Sequence, residues 1–291
     1  LTSVWTSLTS NRFILSISGQ GYMLEFSGKS LSTFKTTPMS GTKGLVIKEE
    51  VQQLLNKKSI EEVPYLERGE GFYSIFFIRP KKDGGLRPIL NLKPLNRMLV
   101  TKSFKMDHFG IIIKALTKDL WAISMDLQDA YLHIKIADAD KKYLRFALQG
   151  GKHYQFSTLC FGLKTAPRIF TKVVQELAAN LRQEGIRIFQ YLDDWIIIHQ
   201  NPKSLMLHRD RTIQMTQEAG FLINWKKSNL IPTQMIEYLG VRFDLRNGIM
   251  YPSDKRVLDI TSSVNHLQQR IQVPAWDLVS LLGLLNSCSQ I

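Results

Sequence analysis

The sequence predicts an α+β protein. Three observations carry this: short apolar runs joined by turn residues, amphipathic runs of helical period between them, and a closing segment beyond Ser253 where only the helical period remains. The chain has 291 residues, enough for two or three subdomains around a sizeable core. With 44% hydrophobic and 22% charged residues, wholesale disorder is excluded.

Taken in order, residues 1–44 are rich in Ser, Thr and Gly, with Trp5, Phe13, Ile14, Leu15, Tyr22 and Phe26 interspersed. They read as an N-terminal extension packed on the main body and loosely ordered around "SGTKG". Val46, Val51, Leu54, Leu55 and Ile60 predict a helix over 46–60. "YSIFFIRPKKDGGLRPILNL" reads as two strands and a polar, Gly-containing turn. "LWAISMD" is a buried strand ending near Asp126. In "TAPRIFTKVVQELAANLRQEG", Thr165 can cap a helix, Pro167 suits its first turn and Gly185 ends it. Its apolar stripe is Ile169, Phe170, Val173, Val174, Leu177 and Leu181. "IRIFQYL" and "WIIIHQ" are strands separated by Asp193 and Asp194, which would form a hairpin tip. A helix over 204–219 stops at Gly220. "IEYLGVRFDLRNGIMYP" is a second hairpin turning at Asn247-Gly248. Val257, Ile260, Val264, Leu267 and Ile271 then recur at helical spacing, and a last helix follows Pro274.

Lys and Arg exceed Asp and Glu by 38 to 25, a net charge of +13 and a pI near 9.7. Such an excess points to a polyanionic partner, nucleic acid being the commonest, although a solvated basic surface gives the same count. The two cysteines, Cys160 and Cys288, have neither disulfide-framework nor metal-knuckle spacing and fit a reducing, intracellular compartment. No apolar run is long enough to span a bilayer, so no membrane partner is expected. The opening "LTSVWTSLTS" has no basic n-region, and both ends read as cut from a longer polypeptide.

The chemistry centres on "FQYLDDWIII". Adjacent carboxylates repel, and burial makes each ion more costly, so something must compensate. An Asp-Asp turn by itself is usually structural, since aspartate favours turns. Here the flanks are too apolar for a solvated loop, a third carboxylate (Asp126) ends another apolar strand, and the basic turn "RPKKDGGLR" lies upstream. Mg²⁺ suits hard carboxylate oxygens and retains positions for substrate phosphates. A pair of such ions activates an attacking hydroxyl and stabilises leaving pyrophosphate. Lys and Arg on a facing turn would neutralise a triphosphate.

With these parts assembled, the chain resembles a reverse transcriptase of the retroelement kind, with ordered matches from about Val46 to Tyr251. The motifs that carry the resemblance are "RPKKDGGLRPILNLKPLN", "SMDLQDAYLHI", "FSTLCFGLKTAPRIF", "YLDD", "INWKKSNL" and "EYLGVRFD". It implies a right-hand polymerase fold: an extension (1–44), fingers and a palm with an antiparallel sheet (45–251), and the start of a helical thumb (252–291). It implies RNA-directed DNA synthesis with a template of RNA or DNA, a primer and dNTPs, using two Mg²⁺ ions with Mn²⁺ as a substitute.

By resemblance, Asp126, Asp193 and Asp194 are the catalytic, metal-binding carboxylates, and Leu127 offers its backbone carbonyl. Lys81 and Arg87 contact the triphosphate, with Lys82 the alternative to Lys81. Tyr131 is the steric gate against a ribose 2′-hydroxyl. Phe161 and Gly162 belong to the motif supporting template and nucleotide. Lys227 is the proton donor to pyrophosphate, with Lys226 the neighbouring alternative, and Leu239 and Gly240 are the primer grip.

Phe161 replaces the Gln usual in retroviral enzymes, and Cys160 replaces a common proline. "LTSNRFILSISGQGYMLEF" and "LLGLLNSCSQI" most resemble tyrosine-recombinase retrotransposons of the DIRS type. Elsewhere plainer roles are expected. Asp129 caps or braces the turn after Asp126, while His133, His153, His199 and His208 are structural. Trp121 and Trp195 are core residues, and Cys160 is a small packing residue with no activating partner. The rival reading is a polymerase-like domain that binds nucleic acid or assembles a larger protein without catalysis. Loss of a metal carboxylate or of Arg87 would favour it, and none is missing.

Overall fold

The apolar run that ends in Asp126 forms the strand Trp121–Asp126, second in a four-stranded antiparallel sheet whose order is Asn229–Thr233, Trp121–Asp126, Asp194–His199, Arg187–Tyr191. The computed structural model describes residues 2–28, 32–80, 86–107, 109–286 and 288. The chain divides into two compact units interleaved in sequence. The first comprises Leu1–Phe104, Asp129–Leu177 and Thr216–Leu222, and the second Lys105–Gln128, Ala178–Met215 and Ile223–Ile291.

The second unit holds the sheet just described. Ala122, Ile196 and Ile198 on one face pack in a core with Ile236, Tyr238, Val241 and Phe243. The latter four come from a meander of three antiparallel strands, Met235–Tyr238, Val241–Asp244 and Ile249–Pro252. The expected single hairpin is therefore two. Its first turn is Leu239-Gly240, and Asn247-Gly248 closes the second, where the Asp244 carboxylate accepts from the backbone N–H groups of Arg246 and Asn247. Alternation across "IEYLGVRFD" was broken at Leu239-Gly240, a dipeptide that does not read as a turn. The helices Asp254–Gln268 and Ala275–Asn286 follow, the first capped by Ser253, and neither contains a buried residue.

In the first unit, Thr36–Thr37, Arg145–Leu148, His153–Phe156 and Ile60–Glu62 form a second four-stranded sheet in that order. Phe76–Pro80 and Leu86–Leu90 pair as the expected hairpin, from Phe76 opposite Leu90 to Pro80 opposite Leu86. Residues 1–44 contribute the helices Thr2–Leu8 and Arg12–Gln20, which bury Trp5, Ile14 and Ile17. The helix predicted over 46–60 spans Gly41–Asn56. "SGTKG" is its first turn and not a loose loop: Ser40 is the N-cap, and Gly44 lets the turn approach Met39, whose backbone a Cβ would meet at 2.9 Å. Lys58, left-handed at φ 55°, ends the helix and frees Ile60 for a strand.

The helix Ala166–Gln183 matches its predicted stripe, all of it at most 3% exposed. Gly185 (φ 83°) closes it, with Gly185 N–H bonded to the Arg182 carbonyl and Ile186 N–H to that of Leu181. The next helix, Pro202–Glu218, starts two residues before the expected Ser204. The Asn201 side chain accepts from the N–H groups of Lys203 and Ser204, a cap that the apolar pattern does not reveal. Among the described residues no helix is long and apolar enough to cross a membrane.

Candidate active site

Strand register brings two of the three expected carboxylates together. Asp126 ends its strand directly opposite Asp194, the first residue of Asp194–His199. Directly opposed residues project from the same sheet face with Cβ atoms about 5 Å apart. The face is the one that carries Ala122, Ile196 and Ile198, because side chains alternate with a period of two. Asp193 is joined to this pair through the backbone: Leu127 N–H donates to its carbonyl at 3.0 Å.

The hairpin tip differs by one residue from the expected one. Tyr191 pairs with Asp194, so the two-residue turn is Leu192-Asp193 and Asp194 belongs to the strand. Leu192 occupies positive φ (56°), a region where a branched side chain is strained by ~1–3 kcal/mol. The buried Trp195 helps hold it there, its indole N–H donating to the Leu192 carbonyl at 3.0 Å. The core role expected for Trp195 thus includes bracing this turn.

The electrostatics match the geometry. Burial, then the charges of Asp193 and Asp126, push the Asp194 carboxyl up to about 6, opposed by the positive charge of Lys227. Tyr238 donates its hydroxyl to the Asp194 carbonyl at 2.8 Å, and burial pushes that phenol well above its usual range. Among the described residues no group of three or more His, Cys, Asp or Glu side chains is drawn close enough to hold a metal ion. Three neighbouring carboxylates repel one another, which opposes such gathering. The donor set still fits a hard cation that takes further ligands from a substrate: two facing carboxylates, a third one residue away, and a local excess of negative charge.

The turn Asn224–Ser228 carries the lysine motif and is tied to Asp126 at both of its backbone groups. Asn224 N–H donates to the Asp126 carbonyl at 2.9 Å. Ser228 Oγ accepts from Asp126 N–H at 3.0 Å and donates to the Asn224 carbonyl at 2.8 Å. The turn thereby places exposed Lys227 where its charge acts on Asp194. Lys226 is also exposed.

Leu239 and Gly240 form the tight turn between Tyr238 and Val241, both at positive φ (50° and 75°). That is a type I′ geometry, which normally takes Asn-Gly. Arg256 braces it by donating to the Leu239 carbonyl at 3.3 Å, and Ser253 N–H donates to the Gly240 carbonyl. Asn224, Ser228, Tyr238 and Arg256 were not among the sequence candidates. Of these, Asn224 and Ser228 lie inside "INWKKSNL" and Tyr238 inside "EYLGVRFD", while Arg256 lies outside every motif named above.

In the other unit, Arg87, Tyr131, Phe161 and Gly162 form a cluster of their own. The Arg87 guanidinium lies over the Phe161 ring, 5.1 Å from its centroid, and Phe161 packs against Tyr131 at 5.2 Å. Phe170 meets Tyr131 edge-on at 5.7 Å. Gly162 (φ +106°) passes against the Leu90 carbonyl, where a Cβ would overlap it. The Asn96 amide donates to the Gly162 carbonyl at 2.7 Å. Lys81 and Lys82 lie outside the described residues. Asp129 precedes a short 3-10 helix, Ala130–His133, without a side-chain cap bond, and instead pairs with Lys57 at 2.8 Å. His133 is structural: its Nε2 accepts from Leu222 N–H at 3.1 Å, which leaves Nδ1–H for the Ala130 carbonyl at 3.3 Å. Cys160 is fully buried, and that burial raises its thiol far above the reactive range.

Comparison with known proteins adds three findings. The family model described as reverse transcriptase (RNA-dependent DNA polymerase) matches residues 79–243. The enzymatic polyprotein of soybean chlorotic mottle virus is 29% identical over 240 residues, covering 82% of this chain and 33% of the relative. The retrovirus-related Pol polyprotein from transposon gypsy of Drosophila melanogaster is 28% identical over 154 residues, covering 53% and 14%. The chain thus spans a third or less of the length of these curated relatives. Among solved structures, the foamy viral protease-reverse transcriptase in complex with dsDNA aligns with a TM-score of 0.70 at 20% identity, covering 91% of this chain and 52% of that one. The same protein with an RNA/DNA hybrid gives 0.68 at 19%, covering 91% and 33%. At these identities the likeness establishes the fold, the mixed α+β polymerase fold.

Proposed function

Because this chain belongs to the reverse transcriptase (RNA-dependent DNA polymerase) family, we propose that it is an RNA-directed DNA polymerase that extends a primer 3′-hydroxyl with dNTPs on an RNA or DNA template. The observation that carries this is the pairing of Asp126 with Asp194 in register, with Asp193 next to it and Lys227 held alongside.

In this reading the primer oxygen forms a bond to the α-phosphorus, the bond to pyrophosphate breaks, and the hydroxyl proton passes to solvent water. Asp126, Asp193 and Asp194 would hold Mg²⁺, which when bound supplies charge to activate the hydroxyl and stabilise the leaving group. Lys227, fixed by the Asn224–Ser228 turn, protonates the departing pyrophosphate. Arg87, and Lys81 or Lys82, neutralise the triphosphate, and Tyr131 excludes a 2′-hydroxyl. The Leu239-Gly240 turn holds the primer strand. Residues 45–251 are assigned as fingers and palm, 252–291 as the start of the thumb and 1–44 as an extension. The net charge of +13 suits a duplex read through its backbone. The complexes of the foamy viral protein with dsDNA and with RNA/DNA hybrid support the same class of partner.

Within the family we propose that the chain belongs to tyrosine-recombinase retrotransposons of the DIRS type, on the resemblance of "LTSNRFILSISGQGYMLEF" and "LLGLLNSCSQI". A recombinase reading frame of the tyrosine type in the parent element is the check on that assignment.

Primer extension by the purified protein on RNA and DNA templates tests the activity. The parent should extend both, and Asp193→Asn should extend neither while folding and binding duplex as the parent does. Equal extension by parent and variant, with contamination excluded, overturns the assignment of Asp193. Extension on DNA templates alone overturns the RNA-directed reading.

A further inference from the structure

The turn that carries Lys227 also carries a largely exposed indole. Trp225 is 57% exposed, whereas Trp5 and Trp195 are 3% and 0% exposed; Trp276, on the last helix, is 82% exposed. The position of Trp225 is fixed from both sides. Ile223, 3% exposed, bridges to Leu127, and Asn224 and Ser228 bond to the backbone of Asp126. An aromatic ring on a mobile tail requires no explanation, but one on a turn anchored this firmly presents a preformed flat surface. Lys226 stands beside it, also exposed. Among the described residues neither side chain has a hydrogen-bond or ion-pair partner. The segment "LINWKKSNL" holds two lysines and no acid.

We propose that Trp225 and Lys226 form a contact for single-stranded nucleic acid, the indole face stacking on an unpaired base and the ammonium pairing with a phosphate. A planar apolar ring beside unpaired positive charge suits a ligand that offers aromatic faces along a chain of anions. A protein partner would have to be acidic and aromatic at one spot to match it equally well. The strand must be single because a base inside a duplex has both faces covered. For the class of partner the proposal rests on the polymerase reading, but stacking at Trp225 requires no catalysis.

The test is anisotropy titration of a labelled oligothymidylate with the full chain, repeated with an abasic strand of equal length. Trp225→Ala should weaken oligothymidylate binding by about 5- to 150-fold, the range for loss of one stacked base. Trp225→Phe should keep most of the affinity. On the abasic strand, parent and Trp225→Ala should bind alike. Lys226→Ala should weaken both strands and lower the slope of log affinity against log salt by about one. If Trp225→Ala misfolds, quenching of indole emission in Trp276→Phe reads the same contact, and it should vanish when Trp225→Phe is added. Unchanged oligothymidylate affinity in Trp225→Ala, or an equal loss on the abasic strand, overturns the proposal and leaves the ring to a protein partner. Primer extension measured alongside separates the two readings. A parent that fails to extend yet shows the Trp225 effect counts against the polymerase assignment alone, and one that extends without it counts against this contact alone.

Discussion

Asp126 and Asp194 stand directly opposite each other on neighbouring antiparallel strands, 194 at the start of one and 126 at the end of the other. Burial, and then the like charges of Asp193 and Asp126, make Asp194 hold its proton up to about 6.

A pH dependence of stability follows from that pair. Below about pH 4 Asp194 is protonated in both folded and unfolded chains, and nothing is lost. As pH rises from there through about 6, the unfolded chain has released this proton and the folded one still binds it, so the contribution drains away. The loss is at most ~3 kcal/mol, and less after allowance for solvent screening and for the coupling with Asp126 and Asp193. In chelator-containing buffer, Tm of Asp194→Asn should therefore fall less than that of the parent between pH 4 and 7. Parallel curves would place the shift elsewhere.

Ser228 is expected to act as a positioning residue. Its hydroxyl bonds both to Asp126 N–H and to the Asn224 carbonyl, so Ser228→Ala loosens the turn that holds Lys227. Two hydrogen bonds of this kind are worth ~1–3 kcal/mol together. The extension rate at saturating nucleotide should drop about tenfold, and Ser228→Thr should recover most of it. A full rate in the alanine variant would show that the turn is held by Asn224 alone.

In the proposed reading, sugar choice depends on the placement of the Tyr131 ring. Because Phe161 and Phe170 wedge that ring at 5.2 and 5.7 Å, Tyr131→Phe should keep its position and stay selective for deoxynucleotides. Tyr131→Val removes the obstruction and should raise ribonucleotide incorporation relative to deoxyribonucleotide by about tenfold or more. If the phenylalanine variant loses selectivity as badly as the valine one, discrimination runs through the hydroxyl.

The Leu239-Gly240 turn trades stability for its side chain. Asn is at home in left-handed backbone and Leu is not, so Leu239→Asn should raise the urea midpoint by an amount equivalent to ~1 kcal/mol. Gly240→Ala should lower it, because φ is 75° and the added methyl would meet the Arg256 guanidinium at 2.9 Å. A Leu239→Asn protein that is more stable and yet extends primers poorly would show that the leucine is kept for contact with the strand.

Much of this was legible in the chain. The apolar run before Asp126 and the apolar flanks of Asp193-Asp194 foretold two neighbouring strands, and the stripe from Ile169 to Leu181 foretold its helix with Gly185 as the stop. What escaped were contacts made by backbone groups far apart in sequence. Nothing local marks Ser228 as the partner of Asp126 N–H, nor Tyr238 as the donor to the Asp194 carbonyl. The turn at Leu192-Asp193 was misplaced by one residue for a related reason. Leu192 looks like strand, and only pairing of Tyr191 with Asp194 forces it into positive φ. The same failing hid the turn at Leu239-Gly240.

Gly162 offers a way to read the history of any copy of this gene. Its backbone presses against the Leu90 carbonyl at φ +106°, so every side chain is refused there on space and on conformation alike. Each amino-acid change reachable from a glycine codon by one base substitution adds at least a Cβ, so no missense drift at this codon is silent. A copy that has accumulated substitutions elsewhere yet still encodes glycine at 162 keeps the close backbone approach to Leu90 open. A copy that has lost it must move one of the two backbone segments to make room.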